Sequence, residues 1–254
     1  MASASDSTSQ ASAPRGARGP GMALIVVLAL AVIASGSFAA YALNHRSTST
    51  TSLVRVTGIP SNISTATANL MALSPVPKRP APDFTLTDQN GRSFSLSSFK
   101  GRAVILEFMD PHCTDICPLV AQEYIDAYRD LGAEASKVVF MAINVNQYYA
   151  SVANMMTFST EHSLTTIPSW HFFTGAGAAL RAAWRNYNIE VIAKNPNADI
   201  IHTSALYVID AQGRERYLAA PVVMHRASGK AYLPANTLTA WGHGIATLAR
   251  DVLN

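Results

Sequence analysis

Apolar residues recur along the chain with two periods, and their alternation lays out an α/β domain. Phe84-Thr85-Leu86-Thr87 has the period-two pattern of a short strand, Asp88-Gln89-Asn90-Gly91 reads as a turn, and Phe94-Ser95-Leu96 returns. Residues 97–101 predict one short capped helical turn. Ala103-Val104-Ile105-Leu106-Glu107-Phe108-Met109 and Val138-Val139-Phe140-Met141-Ala142-Ile143-Asn144-Val145 are long apolar runs, as parallel strands covered on both faces require. Between them Val120, Tyr124, Tyr128 and Leu131 share one face of a helix predicted from about 118 to 131. A helix over 151–162 follows, with Val152, Met155, Met156 and Ser159 inward. Trp170-His171-Phe172-Phe173 is a strand, and residues 176–187 form a helix with Leu180, Trp184 and Tyr187 on one side. Around the turn Asn195-Pro196-Asn197, residues 188–201 read as a small hairpin or a loop. Residues 205–210 and 214–219 are strands joined by Ala211-Gln212-Gly213. Residues 222–234 carry no clear period. A last helix starts near 236, its stripe being Leu238, Trp241, Ile245, Leu248 and Val252.

This order predicts a central mixed sheet flanked by helices over residues 81–254, a thioredoxin-like architecture. No internal repeat is present.

The first eighty residues have a different character. Residues 1–21 are Ser, Ala, Gly and Pro with a few charges, the composition of a disordered tail. Residues 22–43 hold no charged side chain, and as a helix would be about 33 Å long, enough to span a bilayer as a transmembrane helix. The rival is a cleaved signal with an apolar core over 22–34 and Ala40-Tyr41-Ala42 as its cleavage motif. Either way the domain is expected outside the cytoplasm, the anchored form being a single-pass protein of the cell membrane. Residues 44–80, rich in Ser and Thr and ending in Pro75, Pro77 and Pro80, read as a flexible linker.

Composition adds exclusions. The 254 residues are 49% apolar and 14% charged, with a net charge of +3. That suffices for one good core, and no Lys/Arg cluster is interleaved with aromatics, so nucleic acid is not the expected partner.

The candidate chemistry lies in Cys113-Thr114-Asp115-Ile116-Cys117-Pro118, which holds the chain's two cysteines. They fall on the turn between a buried strand and a helix, where free N–H groups and the helix dipole favour thiolate. Thiolate attacks disulfides and also ligates soft metals. A purely structural disulfide is a poor explanation, because so short a loop removes little entropy from the unfolded chain. Met155 and Met156 invite a soft-metal interpretation, but helical spacing makes them core residues. Asp115, between the thiols, is expected to support the site from behind or to cap the helix.

The chain resembles the SCO/SenC copper proteins of respiratory oxidase assembly. The resemblance is carried by Ala81-Pro82-Asp83-Phe84, the C-x-x-x-C-P motif, Trp170-His171-Phe172-Phe173-Thr174-Gly175, and Asp199-Ile200-Ile201-His202-Thr203-Ser204 followed by the strand to Asp210-Ala211-Gln212-Gly213-Arg214. It extends from about residue 78 to 220. The opening hairpin is shared with peroxiredoxins, whereas the cysteine spacing is specific. Pro111 and Thr114 stand where the family commonly has Thr or Ser and Pro, and Ile201 separates the histidine from the acid that usually precedes it.

The resemblance implies one copper per chain, as Cu(I) or Cu(II), bound by Cys113, Cys117 and His202. Soft thiolates suit Cu(I) and imidazole suits both oxidation states. His112 is the rival imidazole. The implied function is copper delivery to, or maturation of, the two-copper CuA centre of cytochrome c oxidase subunit two, with a thiol reductant as further partner. The alternative is an extracytoplasmic thiol–disulfide oxidoreductase that uses Cys113 and Cys117 as a redox-active pair and has no need of His202. A peroxidase would want a Thr and an Arg beside its cysteine, and the sequence offers no such local arrangement.

Overall fold

A computed structural model of the chain describes residues 56–253. Helix α1 (Thr65–Leu70) is capped by Ser64, whose Oγ accepts the Thr67 N–H at 3.0 Å. Strand β1 (Ser74–Pro80) follows, then the hairpin β2 (Thr85–Thr87) and β3 (Ser93–Ser95), with a 3-10 turn at Leu96–Phe99. Next come β4 (Ala103–Met109), α2 (Cys117–Leu131), β5 (Val138–Asn144), α3 (Val152–Glu161), β6 (Trp170–Phe173) and α4 (Gly177–Asn186). A small hairpin pairs β7 (Val191–Ile192) with β8 (Ile201–His202), and a larger one joins β9 (Leu206–Ile209) to β10 (Arg214–Ala219). Finally β11 (Met224–His225) pairs with β12 (Ala231–Tyr232), and α5 (Ala235–Leu253) follows.

Six strands make one sheet in the order β1-β10-β9-β4-β5-β6. Strands β4, β5 and β6 are parallel, and β9, β10 and β1 extend the sheet antiparallel. The two apolar runs are its centre: every residue of β4 and β5 is buried, with Ala103 opposite Val138 and Met109 opposite Asn144. Alternation along β4 sends Ala103, Ile105 and Met109 into the layer holding α1, α2, α3 and α5. Val104, Leu106 and Phe108 enter the layer of α4 and the β2–β3 hairpin. Leucines and aromatics buried this fully stabilise by about 1.5–3 kcal/mol each, and the doubly covered sheet holds the loop after β4 on a rigid base.

The expected linker is corrected over its second half. Residues 56–80 are folded: Ile59, Ile63, Met71 and Leu73 are buried in the core, and β1 pairs with β10. The prolines are tolerated because β1 is an edge strand, where a missing N–H need not cost a ladder bond, and the register is irregular between Pro75 and Arg79. The unread stretch 222–234 contains the β11–β12 hairpin. The expected tail at 1–21, transmembrane stretch at 22–43 and first part of the linker, 44–55, lie outside the described residues. Among the described residues no helix is long and apolar enough to cross a membrane.

Candidate functional site

Strand β4 is followed by Asp110, whose carboxylate builds the next turn. Its Oδ1 accepts the His112 N–H at 2.8 Å and the Asn146 side-chain amide at 3.0 Å, while its carbonyl accepts the Cys113 N–H at 3.1 Å. Asn146 is itself ordered by the Asn144 carboxamide at the end of β5. Two neighbouring parallel strands thus fix where the cysteine loop starts.

Helix α2 begins at Cys117 itself, with Pro118 in its first turn, where a missing N–H costs nothing. The Cys117 N–H points at Cys113 Sγ, 3.4 Å away. Both thiols are free, Cys113 half-buried and Cys117 buried. Their acidities diverge. The Cys117 thiol donates to Cys113, and the backbone N–H groups of Cys117 and Asp115 add to it, so Cys113 is pulled down to about 7 against burial and the Asp110 charge. Cys117 is pushed well up, by its hydrogen bond to Cys113 and by burial. Cys113 is the accessible thiolate and Cys117 the protonated partner behind it.

His202 arrives from β8, placed by the pairing of β8 with Val191 and Ile192. Its Nδ1 lies 3.0 Å from the Thr203 carbonyl, so Nδ1 carries the proton and Nε2 is left with its lone pair. Burial lowers its pKa, which keeps the ring neutral near pH 7. One cavity of about 380 Å³ is lined by Cys113 and His202 together with Asp110, Asp115 and Asp199. Cys117 lies behind Cys113, off the cavity wall. Among the described residues no three His, Cys, Asp or Glu side chains already converge closely enough to hold a metal ion. The thiols are paired and the imidazole shares the cavity, but the three do not meet at one point.

Of the other candidates, His112 and Asp115 also line this cavity, each with a partner of its own. His112 stacks on Tyr149 with ring centroids 3.6 Å apart. Met155 is core, beside Phe158. Asp115 does not cap α2: Ile116 occupies the cap position without a side-chain bond. Instead Asp115 Oδ1 meets His225 Nε2 at 2.7 Å, tying β11 to the cysteine loop. No local signal marks His225, which lies 110 residues from its partner in a stretch without periodicity.

The family model described as SCO1/SenC matches residues 74–224, from the first residue of β1 to the first of β11. An SCO1 protein homolog of Bacillus subtilis is 26% identical over 133 residues, which is 52% of this chain and 68% of that protein. The chain spans about half the length of the mammalian mitochondrial SCO2 homologs it matches, 52% for the mouse protein. Among solved structures, Bradyrhizobium japonicum ScoI with copper bound superposes with a TM-score of 0.52 at 23% identity, covering 68% of this chain and 99% of that one. BsSco, described as having a disulfide switch and as a member of the Sco family of cytochrome c oxidase assembly proteins, gives 0.51 at 21% identity, covering 71% and 96%. The thioredoxin-like mixed α/β fold is shared with these structures.

Proposed function

The chain belongs to the SCO1/SenC family, and from that premise we propose that it is a membrane-anchored copper-binding protein that delivers copper to, or matures, the CuA centre of cytochrome c oxidase subunit two. One copper per chain would be held by Cys113, Cys117 and His202, with residues 22–43 as the anchor and the domain outside the cytoplasm. Copper bound to ScoI and the oxidase-assembly role of BsSco support this by kinship.

The observation that carries it is the donor set: an acidified thiol, a second thiol hydrogen-bonded to it, and a neutral imidazole with Nε2 free on the same cavity. Two soft sulfurs and one nitrogen fit copper and leave a position for a ligand from a receiving protein. Cys113 can offer thiolate near neutral pH, whereas Cys117 must give up its proton on binding, so uptake should be favoured as pH rises. His202 must close on the thiols, and its short hairpin is the element able to carry it.

The inequality of the thiols also supports the second reading, a thiol–disulfide oxidoreductase. Cys113 thiolate would attack a partner disulfide, form the mixed disulfide and release the first partner thiolate. Cys117 would then attack Cys113 Sγ, its proton leaving with the second partner sulfur. The dithiol loses two electrons, the partner gains them, and a thiol reductant must restore the pair.

His202→Ala in cells separates the two. Copper delivery predicts impaired oxidase activity, partly restored by added copper, in a protein that still melts cooperatively. Full oxidase assembly with a folded His202→Ala protein, alongside loss in Cys113→Ser, would favour the oxidoreductase.

A further inference from the structure

Two buried polar atoms without a partner, Arg102 Nε and Ser169 Oγ, belong to residues on the wall of one cleft of about 560 Å³. Arg102 immediately precedes β4 and Ser169 immediately precedes β6. Because these strands are parallel, the cleft lies at the end of the sheet opposite the cysteine loop, roughly 20 Å away along β4. Tyr128, Ser136 and His171 complete its polar wall, and no carboxylate lines it.

The Arg102 guanidinium is held in place, its Nη2 donating to the Val138 carbonyl at 3.0 Å. Burial lowers its pKa and no carboxylate offsets that effect. Asp88, behind the ring of His171, is already engaged by the Arg92 guanidinium at 3.1 Å and by His171 Nδ1 at 3.2 Å. The part-buried guanidinium and the buried hydroxyl thus line the same cleft, and neither the Nε nor the Oγ has an acceptor. Leaving such donors unmade is costly, and a charge-assisted bond to an oxyanion satisfies them.

We propose that this cleft binds a small oxyanion, of the size of phosphate or a carboxylate, through Arg102 and Ser169. Occupation would neither block nor require the thiols.

The test titrates the reduced protein in chloride buffer with inorganic phosphate, sulfate or acetate, following heat and the amide signals of residues 102 and 169. Saturable binding of phosphate or sulfate assigns a tetrahedral oxyanion, and a preference for acetate assigns a carboxylate. Arg102→Gln, which removes the charge and the guanidinium fork, should weaken binding about tenfold or more. Ser169→Ala should weaken it several-fold, and binding should be the same in the disulfide form. No saturable binding by any of the three anions overturns the proposal, as does unchanged affinity in a folded Arg102→Gln protein. If that variant does not fold, unchanged affinity in Ser169→Ala overturns it.

Discussion

At the scale of single residues, chemistry is set by which thiol reaches water and which N–H groups face it. Cys113 is acidified first by the Cys117 thiol, so removing that donor has a definite sign. Alkylation of Cys113 should rise with pH about a midpoint near 7 in the intact protein and shift to higher pH in Cys117→Ala, while Cys117 stays protected. An unchanged midpoint in Cys117→Ala would mean that the backbone N–H groups alone set the acidity. The sequence makes this pair legible, because strand, breaker and helix are all local signals. His202 is legible only through resemblance, since nothing nearby marks it. The contact between Asp115 and His225 has no sequence signature, because a long-range hydrogen bond leaves no periodicity.

At the scale of elements, β4, α2 and α5 enclose an anomaly that the apolar pattern hides. Glu107 on β4 is fully buried; its Oε1 accepts the Ala205 N–H at 3.3 Å and its Oε2 has no partner. Glu123 and Tyr124 of α2 and Trp241 of α5 also bury polar atoms without partners. Burial pushes the Glu107 carboxyl up to about 8, and Glu123 rises for the same reason and from the Glu107 charge. A carboxyl raised in the folded state contributes stability that is complete below its unfolded pKa and is lost as pH climbs through the folded one. For Glu107 that window runs from about 4.5 to about 8, and its full extent is on the order of 5 kcal/mol. Glu107→Gln cannot ionise, so its melting temperature relative to the unaltered protein should rise steadily between pH 5 and pH 8. A difference that does not vary with pH would show that Glu107 is not protonated in the fold. The neighbouring elements were legible to different degrees. Strands β4 and β5 and helices α2, α3, α4 and α5 follow their periods to within a residue or two. Helix α1 and strand β1 have no legible signal, because α1 is short and Thr- and Ala-rich, β1 carries three prolines, and their burial depends on α5 and β10.

At the scale of the whole molecule, the sheet has two chemically different ends. The thiols, His202 and their acidic neighbours gather beyond the C-terminal end of β4, and Arg102 and Ser169 at the opposite one. Residues 22–43 carry no charged side chain and as a helix would be long enough to span a bilayer. Alkaline washing of membranes should leave the intact protein in the pellet, and its release would contradict an anchor at 22–43. The central claim is that two sulfurs and one imidazole of this chain hold one copper. Copper X-ray absorption on the reduced protein loaded with Cu(I) tests it most directly. The expected spectrum has two sulfur neighbours and one nitrogen, with the nitrogen lost and both sulfurs kept in His202→Ala. A copper shell lacking the sulfurs, or one identical in His202→Ala, would contradict it.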